Sequence, residues 1–394
     1  MPLIVTLILI LVGLPALAAC LYLLALTLLS ADLPAPSPSS RRMRFDVIVP
    51  AHNEVAVLPR LMSTLHRLDW PRDRYRVLVV ADNCTDETAA LARRLGATVL
   101  ERHDPQRRGK GYALQFAFQA RRAQPFADAV VVVDADAEVS ENLLEAISAR
   151  LEHGAEAVQV QGTVSNASDS WRTRLLAIAT AAFHIVRSRA RERLGLSCGI
   201  RGTGWAVTNH VLDTVPYHSY SLAEDLEYGI ELGLAGHPVH CADEASSHAE
   251  MVTGERDARS QRRRWELGRL HLIRSRTLPL LAAAVRRRDP ICLDLAVDLL
   301  VLPLSYVVLQ VGLFTLLAVL ASAWHAAYRP WVWTALLCWA GLVSYVLRGW
   351  QLSGVGPRGL LDLARAPVFL AWKLIVMLGR RDSSGWIRTR REGS

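Results

Sequence analysis

The chain has 394 residues, 51% of them hydrophobic, and a formal charge of +8. That length admits more than one domain, and six scattered cysteines without a Cys-x-x-Cys pair exclude a disulfide framework or a zinc ribbon and fit a reducing compartment. The basic residues cluster beside apolar stretches (Arg41, Arg42 and Arg44; Arg286–Arg288; Arg380, Arg381, Arg388, Arg390 and Arg391), where they mark the cytoplasmic side of a membrane; no interleaved stacking motif accompanies them, so nucleic-acid binding is set aside.

In chain order, residues 1–30 carry no charge from Pro2 to Ser30, too long a run for a signal-peptide core and without a basic segment before it, and are expected to form a retained transmembrane helix. Residues 31–43 form a linker rich in Pro and Ser. Residues 44–277 alternate short apolar runs with helix-like stretches. FDVIV (Phe45–Val49) precedes Val55–Leu68, RVLVV (Arg76–Val80) precedes Asp86–Leu95, AVVVV (Ala129–Val133) precedes Glu141–Leu151, and EAVQV (Glu156–Val160) follows. Continuous Val/Ile/Leu runs suit strands buried on both faces, and the alternation predicts an α/β domain on a mostly parallel sheet. Ligands bind beyond the carboxyl ends of such strands, where Asn53-Glu54, Asp82, Asp134 and Asp136 all fall.

Residues 278–394 form a C-terminal membrane region. Leu293–Ala321 and Trp331–Leu347 read as spans, with Asp294 and Asp298 at an interfacial or protein-facing entrance. Counting crossings with the basic flanks held cytoplasmic leaves residues 360–378 as an interface helix before a basic tail. Thr173–Arg193 and Arg259–Arg274 read equally as helices on the membrane surface or as solvated faces.

Several residues carry candidate chemistry. Asp134 and Asp136 follow an apolar strand, where one carboxylate can ligate Mg²⁺ or Mn²⁺ that keeps positions for substrate phosphates while its neighbour contacts the ribose or a metal-bound water, although Asp-rich loops after strands are common. Asp82 is placed to accept from a base N–H or to serve in a turn, with Thr85 as helix cap. Gly109-Lys110-Gly111 opens a helix and suits an anion. Ser221 and Glu224 have capping-box spacing, which leaves Asp225 available as a general base. Gln261, Arg264 and Trp265 offer a phosphate clamp and a ring, or an interfacial helix with snorkelling cations.

VIVPAHNE (Val47–Glu54), ADNCTDET (Ala81–Thr88), GKGYAL (Gly109–Leu114), DADAEV (Asp134–Val139), AEDLEYG (Ala223–Gly229) and QRRRW (Gln261–Trp265) stand in one order. Together they resemble the membrane-bound family 2 glycosyltransferases, which include hyaluronan, cellulose, chitin and poly-N-acetylglucosamine synthases and ceramide glucosyltransferases; the GWIRTRRE tail also looks like bacterial members. The resemblance implies a GT-A nucleotide-sugar fold. It further implies that Glu54 and Asp82 hold uridine with Lys110 nearby, that Asp134 binds nucleotide and Asp136 the divalent metal, and that Asp225 is the base. Gln261 and Arg264 would steady the leaving diphosphate, Trp265 would floor the acceptor site, and Trp205 and Glu224 would lie near the acceptor. The usual Thr before Glu-Asp is here Ala223, so a supporting hydroxyl is lost while both carboxylates remain.

The expectation is an inverting, metal-dependent enzyme on the cytoplasmic face of a bacterial inner membrane. It would move a sugar from a UDP-sugar to a membrane-associated acceptor, with a β-linked polysaccharide for export favoured. Single transfer to a lipid such as ceramide, and a non-catalytic nucleotide-sugar-binding subunit of an export complex, are the alternatives.

Overall fold

A computed structural model describes residues 2–251, 255–368 and 371. It begins with helix α1 (Pro2–Leu28), followed by β1 (Phe45–Ala51), α2 (Leu58–His66), β2 (Tyr75–Asp82), α3 (Thr88–Arg94), β3 (Thr98–Arg102) and α4 (Lys110–Ala123). Next come β4 (Ala129–Val132), β5 (Ala137–Val139), α5 (Leu143–Glu152), β6 (Ala157–Val164), α6 (Trp171–Ala181), a π-helical turn at Ala182–Val186 and α7 (Arg187–Arg193). The chain continues through β7 (Trp205–Thr208), α8 (Asn209–Thr214), α9 (Glu224–Ala235) and β8 (Val239–Ala249). The last described helices are α10 (Glu255–Arg287), α11 (Pro290–Leu300), α12 (Leu304–Trp324), α13 (Arg329–Ser353) and α14 (Gly356–Asp362).

The eight strands form one sheet in the order β3-β2-β1-β4-β7-β6-β8-β5. β3, β2, β1 and β4 run parallel, as the Val-rich runs predict, and β7 reverses direction against both β4 and β6. Side chains of β1 and β2 alternate between two cores. Val47, Val49, Val77 and Val79 pack with Leu58, Leu61, Leu65, Leu143 and Ile147 of α2 and α5. Ile48, Leu78 and Val80 pack on the other face with Leu114, Phe118 and Tyr228 of α4 and α9. The chain passes from β1 outward to β2 and returns to β4 on the opposite side of β1. The loops after these parallel strands diverge at that point and leave a crevice beyond their carboxyl ends.

Among the described residues three helices are long and apolar enough to cross a membrane: Pro2–Leu28, Leu304–Trp324 and Ala326–Ser353. The predicted span Leu293–Ala321 is corrected. It breaks at Val301–Pro303, where Pro303 cannot continue the hydrogen-bond ladder. Its first part is the short α11, packed against α9 and α10 through Leu295, Ala296 and Leu299. Both readings of Thr173–Arg193 also fail, because Arg187, Arg189 and Arg191 are buried in ion pairs with Asp298, Asp243 and Asp294. Residues 369, 370 and 372–378 of the expected interface helix 360–378, and the tail that follows, lie outside the described residues.

Helix α13 reaches the sheet domain through Gly349. A side-chain carbon there would meet Ala182 Cβ at 2.7 Å and the Ile178 carbonyl oxygen at 2.9 Å. Gly349→Val is therefore expected to destabilise the protein by about 1–3 kcal/mol through overpacking, seen as a lower thermal midpoint in detergent. An unchanged midpoint would show that this contact can open without loss.

Candidate functional site

The crevice is built where β1, β2 and β4 end. Asn53 and Asn83, just past β1 and near the end of β2, both adopt left-handed backbone angles (φ +57° and +50°), a conformation Asn tolerates better than most residues. The turn holding Asn53 is tied to its neighbour: Thr85 N–H donates to Asn53 Oδ1 at 2.7 Å, and Asn53 Nδ2 donates to Thr85 Oγ1 at 3.0 Å. Thr85 is thus a strap between turns and not the helix cap expected of it; α3 begins at Thr88, whose N–H donates to Asp86 Oδ1. Glu54 follows in the same turn, with its N–H donating to Thr88 Oγ1 at 2.8 Å.

Asp82 ends β2 and is buried. Arg102, the last residue of β3, donates to its Oδ1 at 2.6 Å, and Asn83 Nδ2 donates to the same oxygen at 2.9 Å. The Arg102 guanidinium lies 5.8 Å from the centre of the Tyr112 ring, which stacks on Tyr220 at 4.4 Å. Sequence reading missed Arg102, Tyr112 and Tyr220, since Arg102 sits in a short strand with no marked apolar run.

Lys110 opens α4 after Gly109, whose φ of +129° suits glycine. At Gly111 an added Cβ would lie 2.2 Å from the Ser219 carbonyl oxygen, so the start of α4 presses on the loop leading to α9. This brings the Lys110 ammonium to 2.7 Å from Asp134 Oδ1 and 3.4 Å from Glu224 Oε1. Burial alone would pull the ammonium down, but Asp134, Glu224 and Asp225 outweigh it and hold the Lys110 pKa above its ordinary range. For Glu224, burial raises the carboxyl to about 7, against the opposing pull of Lys110 and with Asp225 adding to the rise.

The capping-box reading of Glu224 is corrected. Ala223 is the cap residue of α9 and supplies no side-chain acceptor, and Glu224 faces Lys110. Ser221 donates its N–H to Glu227 instead. Asp225 accepts from Leu226 N–H through Oδ1, and a carbon added at Gly202 would lie 3.7 Å from its Oδ2. The loop Gly199–Gly204 therefore runs beside Asp225.

Asp134 and Asp136 occupy the short connection from β4 to β5, and Thr203 Oγ1 accepts from Asp134 N–H at 2.9 Å. Both carboxylates are half-buried. Among the described residues no group of three or more His, Cys, Asp or Glu side chains could hold a metal alone. A hard, all-oxygen pair of carboxylates fits Mg²⁺ or Mn²⁺ that takes its remaining ligands from phosphates and water.

Trp205 is corrected outright. It is 1% exposed, on β7, with its ring against Phe118 and Tyr228. It belongs to the core and is too buried to be the acceptor contact expected of it. Trp265 is 43% exposed on α10. Gln261 and Arg264 precede Gly268 by seven and four positions, hence lie on its helix face. A carbon added at Gly268 would meet Ala223 Cβ at 2.9 Å and Ala223 N at 3.0 Å, so this face of α10 abuts the start of α9. Further along α10, an apolar cavity of about 170 Å³ is lined by Glu266, Arg269, Leu270, Ile273, Leu302, Pro303 and Tyr306.

Residues 46–213 match the model of glycosyl transferase family 2. That segment is similar to the family 2 glycosyltransferases. It is 28% identical over 229 residues to the β-monoglucosyldiacylglycerol synthase of Nostoc sp., covering 56% of this chain and 48% of that protein. It is 32% identical over 232 residues to the enzyme of the same name from Synechocystis sp., covering 56% and 47%. The chain thus spans about half the length of these curated relatives. Among solved structures, the mannosyltransferase PcManGT from Pyrobaculum calidifontis, in complex with GDP-Man and Mn²⁺, aligns with a TM-score of 0.54 at 20% identity, over 84% of this chain and 94% of that one. At that identity the likeness speaks for the fold, and it is the GT-A fold expected from the motifs.

Because the native Glu224 carboxyl holds a proton that an unfolded glutamic acid, with a pKa of 4.5, has lost, stability falls as pH rises from about 4.5 to about 7. The thermal midpoint is expected to drop across that window, and Glu224→Gln, neutral throughout, to flatten the drop. An equally steep fall in the variant would exclude Glu224 as its source.

Proposed function

We propose that this chain is a membrane-bound inverting glycosyltransferase that moves one sugar from a UDP-sugar to a hydroxyl of a lipid acceptor. The observation that carries the reading is the meeting of Lys110, Asp134, Glu224 and Asp225 at the mouth of the parallel strands, facing the helix that bears Gln261 and Arg264. Lipid is favoured over polysaccharide for two reasons. The two relatives described above are named β-monoglucosyldiacylglycerol synthases, and the helix carrying exposed Trp265 also walls an apolar cavity at the foot of α12. This departs from the preference for a polysaccharide drawn from the motifs.

In this reading Asp82 and Glu54 receive the uridine, and Asp134 and Lys110 lie along its phosphates. Asp225 accepts the proton of the attacking hydroxyl. Arg264 and Gln261 offset the charge that grows on the departing diphosphate. A divalent ion held at Asp136 would supply further neutralisation of that diphosphate. Attack opposite the leaving group turns an α-linked donor into a β-linked product. The catalytic domain and the basic flanks of the apolar helices then share the cytoplasmic side of a bacterial inner membrane.

The deciding experiment measures UDP release by purified protein in detergent over a panel of UDP-sugars, with acceptor lipids present and products sized by mass. One donor giving one added sugar on lipid supports the reading. A ladder of products would select a polysaccharide synthase, and nucleotide binding without turnover on any donor would select a non-catalytic subunit. Asp225→Asn is expected to keep UDP affinity and lower transfer by roughly 10²–10⁴-fold; retained transfer would remove Asp225 as the base. Leu270→Trp, which fills the cavity, is expected to raise KM for long-chain acceptors and leave short-chain analogues unaffected. Equal losses for both would sink the assignment of the cavity to the acyl chain.

A further inference from the structure

Arg201 lies in the loop that runs beside Asp225, between Gly199 (φ +71°) and Gly202 (φ +94°). A loop with glycines in that conformation has a weak preference for one path, so its position depends on what holds Arg201. The Arg201 N–H donates to Gln159 Oε1 at 2.9 Å, and its Nε donates to the Cys198 carbonyl at 2.7 Å. Its guanidinium stacks 4.3 Å above the Phe183 ring, in the π-helical turn, and ends 3.6 Å from Asp298 Oδ2. Asp298 belongs to α11, outside the sheet domain. It also pairs with Arg187 at 2.6 Å and Arg191 at 3.3 Å. The backbone of the same residue accepts from Arg269 of α10, which donates as well to the carbonyls of Leu299 at 3.3 Å and Val301 at 2.8 Å. Arg269 follows Arg264 by five residues and adjoins Gly268, the residue that abuts Ala223. One buried aspartate therefore contacts the loop beside Asp225 and the helix of Arg264 at once, and no step of the proposed reaction uses it.

We propose that Asp298 is a positioning residue for transfer. Its side chain sets the loop beside Asp225 through Arg201, against a backbone that Arg269 ties to α10, so that acceptor base and leaving-group clamp keep one spacing. The proposal rests on the glycosyl-transfer reading above. Asp82 and Lys110 are anchored on β2 and α4, away from this loop, while Asp134 in the β4–β5 connection meets it only through its backbone N–H on Thr203. Asp298 therefore acts on transfer more than on nucleotide binding.

The test uses the full chain in detergent as wild type, Asp298→Asn, Arg201→Met and the double variant. UDP affinity, transfer rate against acceptor concentration, and hydrogen exchange at the amides of the loop are measured for each. Arg201→Met leaves Asp298 paired with Arg187 and Arg191, so it stays informative should Asp298→Asn fold poorly. The expected result is UDP affinity within about twofold throughout and transfer reduced on the order of 10–10²-fold in each single variant, the loss that misplacement of remote origin produces. The double variant should be no worse than the poorer single, since both cut one connection. Exchange at the Arg201 amide should rise in Asp298→Asn. The Gly204 amide, bonded to the Val132 carbonyl at 2.9 Å, should hold as an internal control. Unchanged transfer, additive losses, or a joint fall of transfer, UDP affinity and thermal midpoint in both single variants would each overturn the proposal. A wild type that turns over no donor would end the transfer reading, and exchange at Arg201 alone would then decide whether Asp298 positions the loop.

Discussion

Buried charge joins the sheet domain to the apolar helices. Asp294 and Asp298 face Arg187, Arg191 and Arg201, and Arg191 is wholly buried. Such a group is expensive to dehydrate, and it persists because each guanidinium meets a carboxylate, a carbonyl or a ring. Tyr22 of α1 donates to Asp294, and Tyr345 of α13 receives Arg187. Removing one member of a buried pair costs about 3–5 kcal/mol, whereas an apolar replacement of the whole set can be neutral. The cluster is thus weak evidence for stability and stronger evidence for register. Apolar helices slide and rotate against one another at little cost, and planar guanidinium forks do not. In this chain the forks tie α1, α7, α11 and α13 to a single arrangement at the edge of the crevice.

The crevice has the opposite character. Its charges are shared and incompletely neutralised. Lys110 serves both Asp134 and Glu224, and Glu224 titrates near neutrality because burial and Asp225 prevail over that one cation. Beneath it the excess has the other sign, with two carboxylates, Asp294 and Asp298, facing Arg187, Arg191 and Arg201. A carboxyl raised toward neutrality in a crevice marks a candidate site.

The parallel half of the sheet was legible because fully buried strands must be continuous in Val, Ile and Leu, as β1, β2 and β4 are. β3 and β8 escaped notice for the same physical reason in reverse, and β7 because its four residues are too few to read as a run. TVLER and VHCADEASSHA carry charge or small polar residues, since their burial is partial or their neighbours are polar. The carboxylates at strand ends were also legible, because topology alone puts them in one crevice. What held them was not. Arg102, Thr203 and Arg201 reach their partners across 20, 69 and 97 residues of sequence respectively, and no local pattern encodes such pairing. Trp205 was misplaced for a related reason. A Trp in a Gly-rich loop motif reads as exposed, yet β7 begins at this residue and turns it inward against Phe118.

Glu224 shows how the two ends of the crevice communicate. It stands at the start of α9 beside Asp225, while its partner Lys110 also serves Asp134 at the end of β4. Any anion drawn to Lys110 from the donor side competes with Glu224 for the same ammonium. Losing that partner favours the protonated form of Glu224, and a neutral Glu224 removes a repelling charge from beside Asp225. With Glu227 of the same turn paired to Arg276, the Asp225 carboxylate is then supported by the α9 dipole. The charges of Asp134, Glu224 and Asp225 are thus linked through one lysine, and that link needs no movement of the backbone.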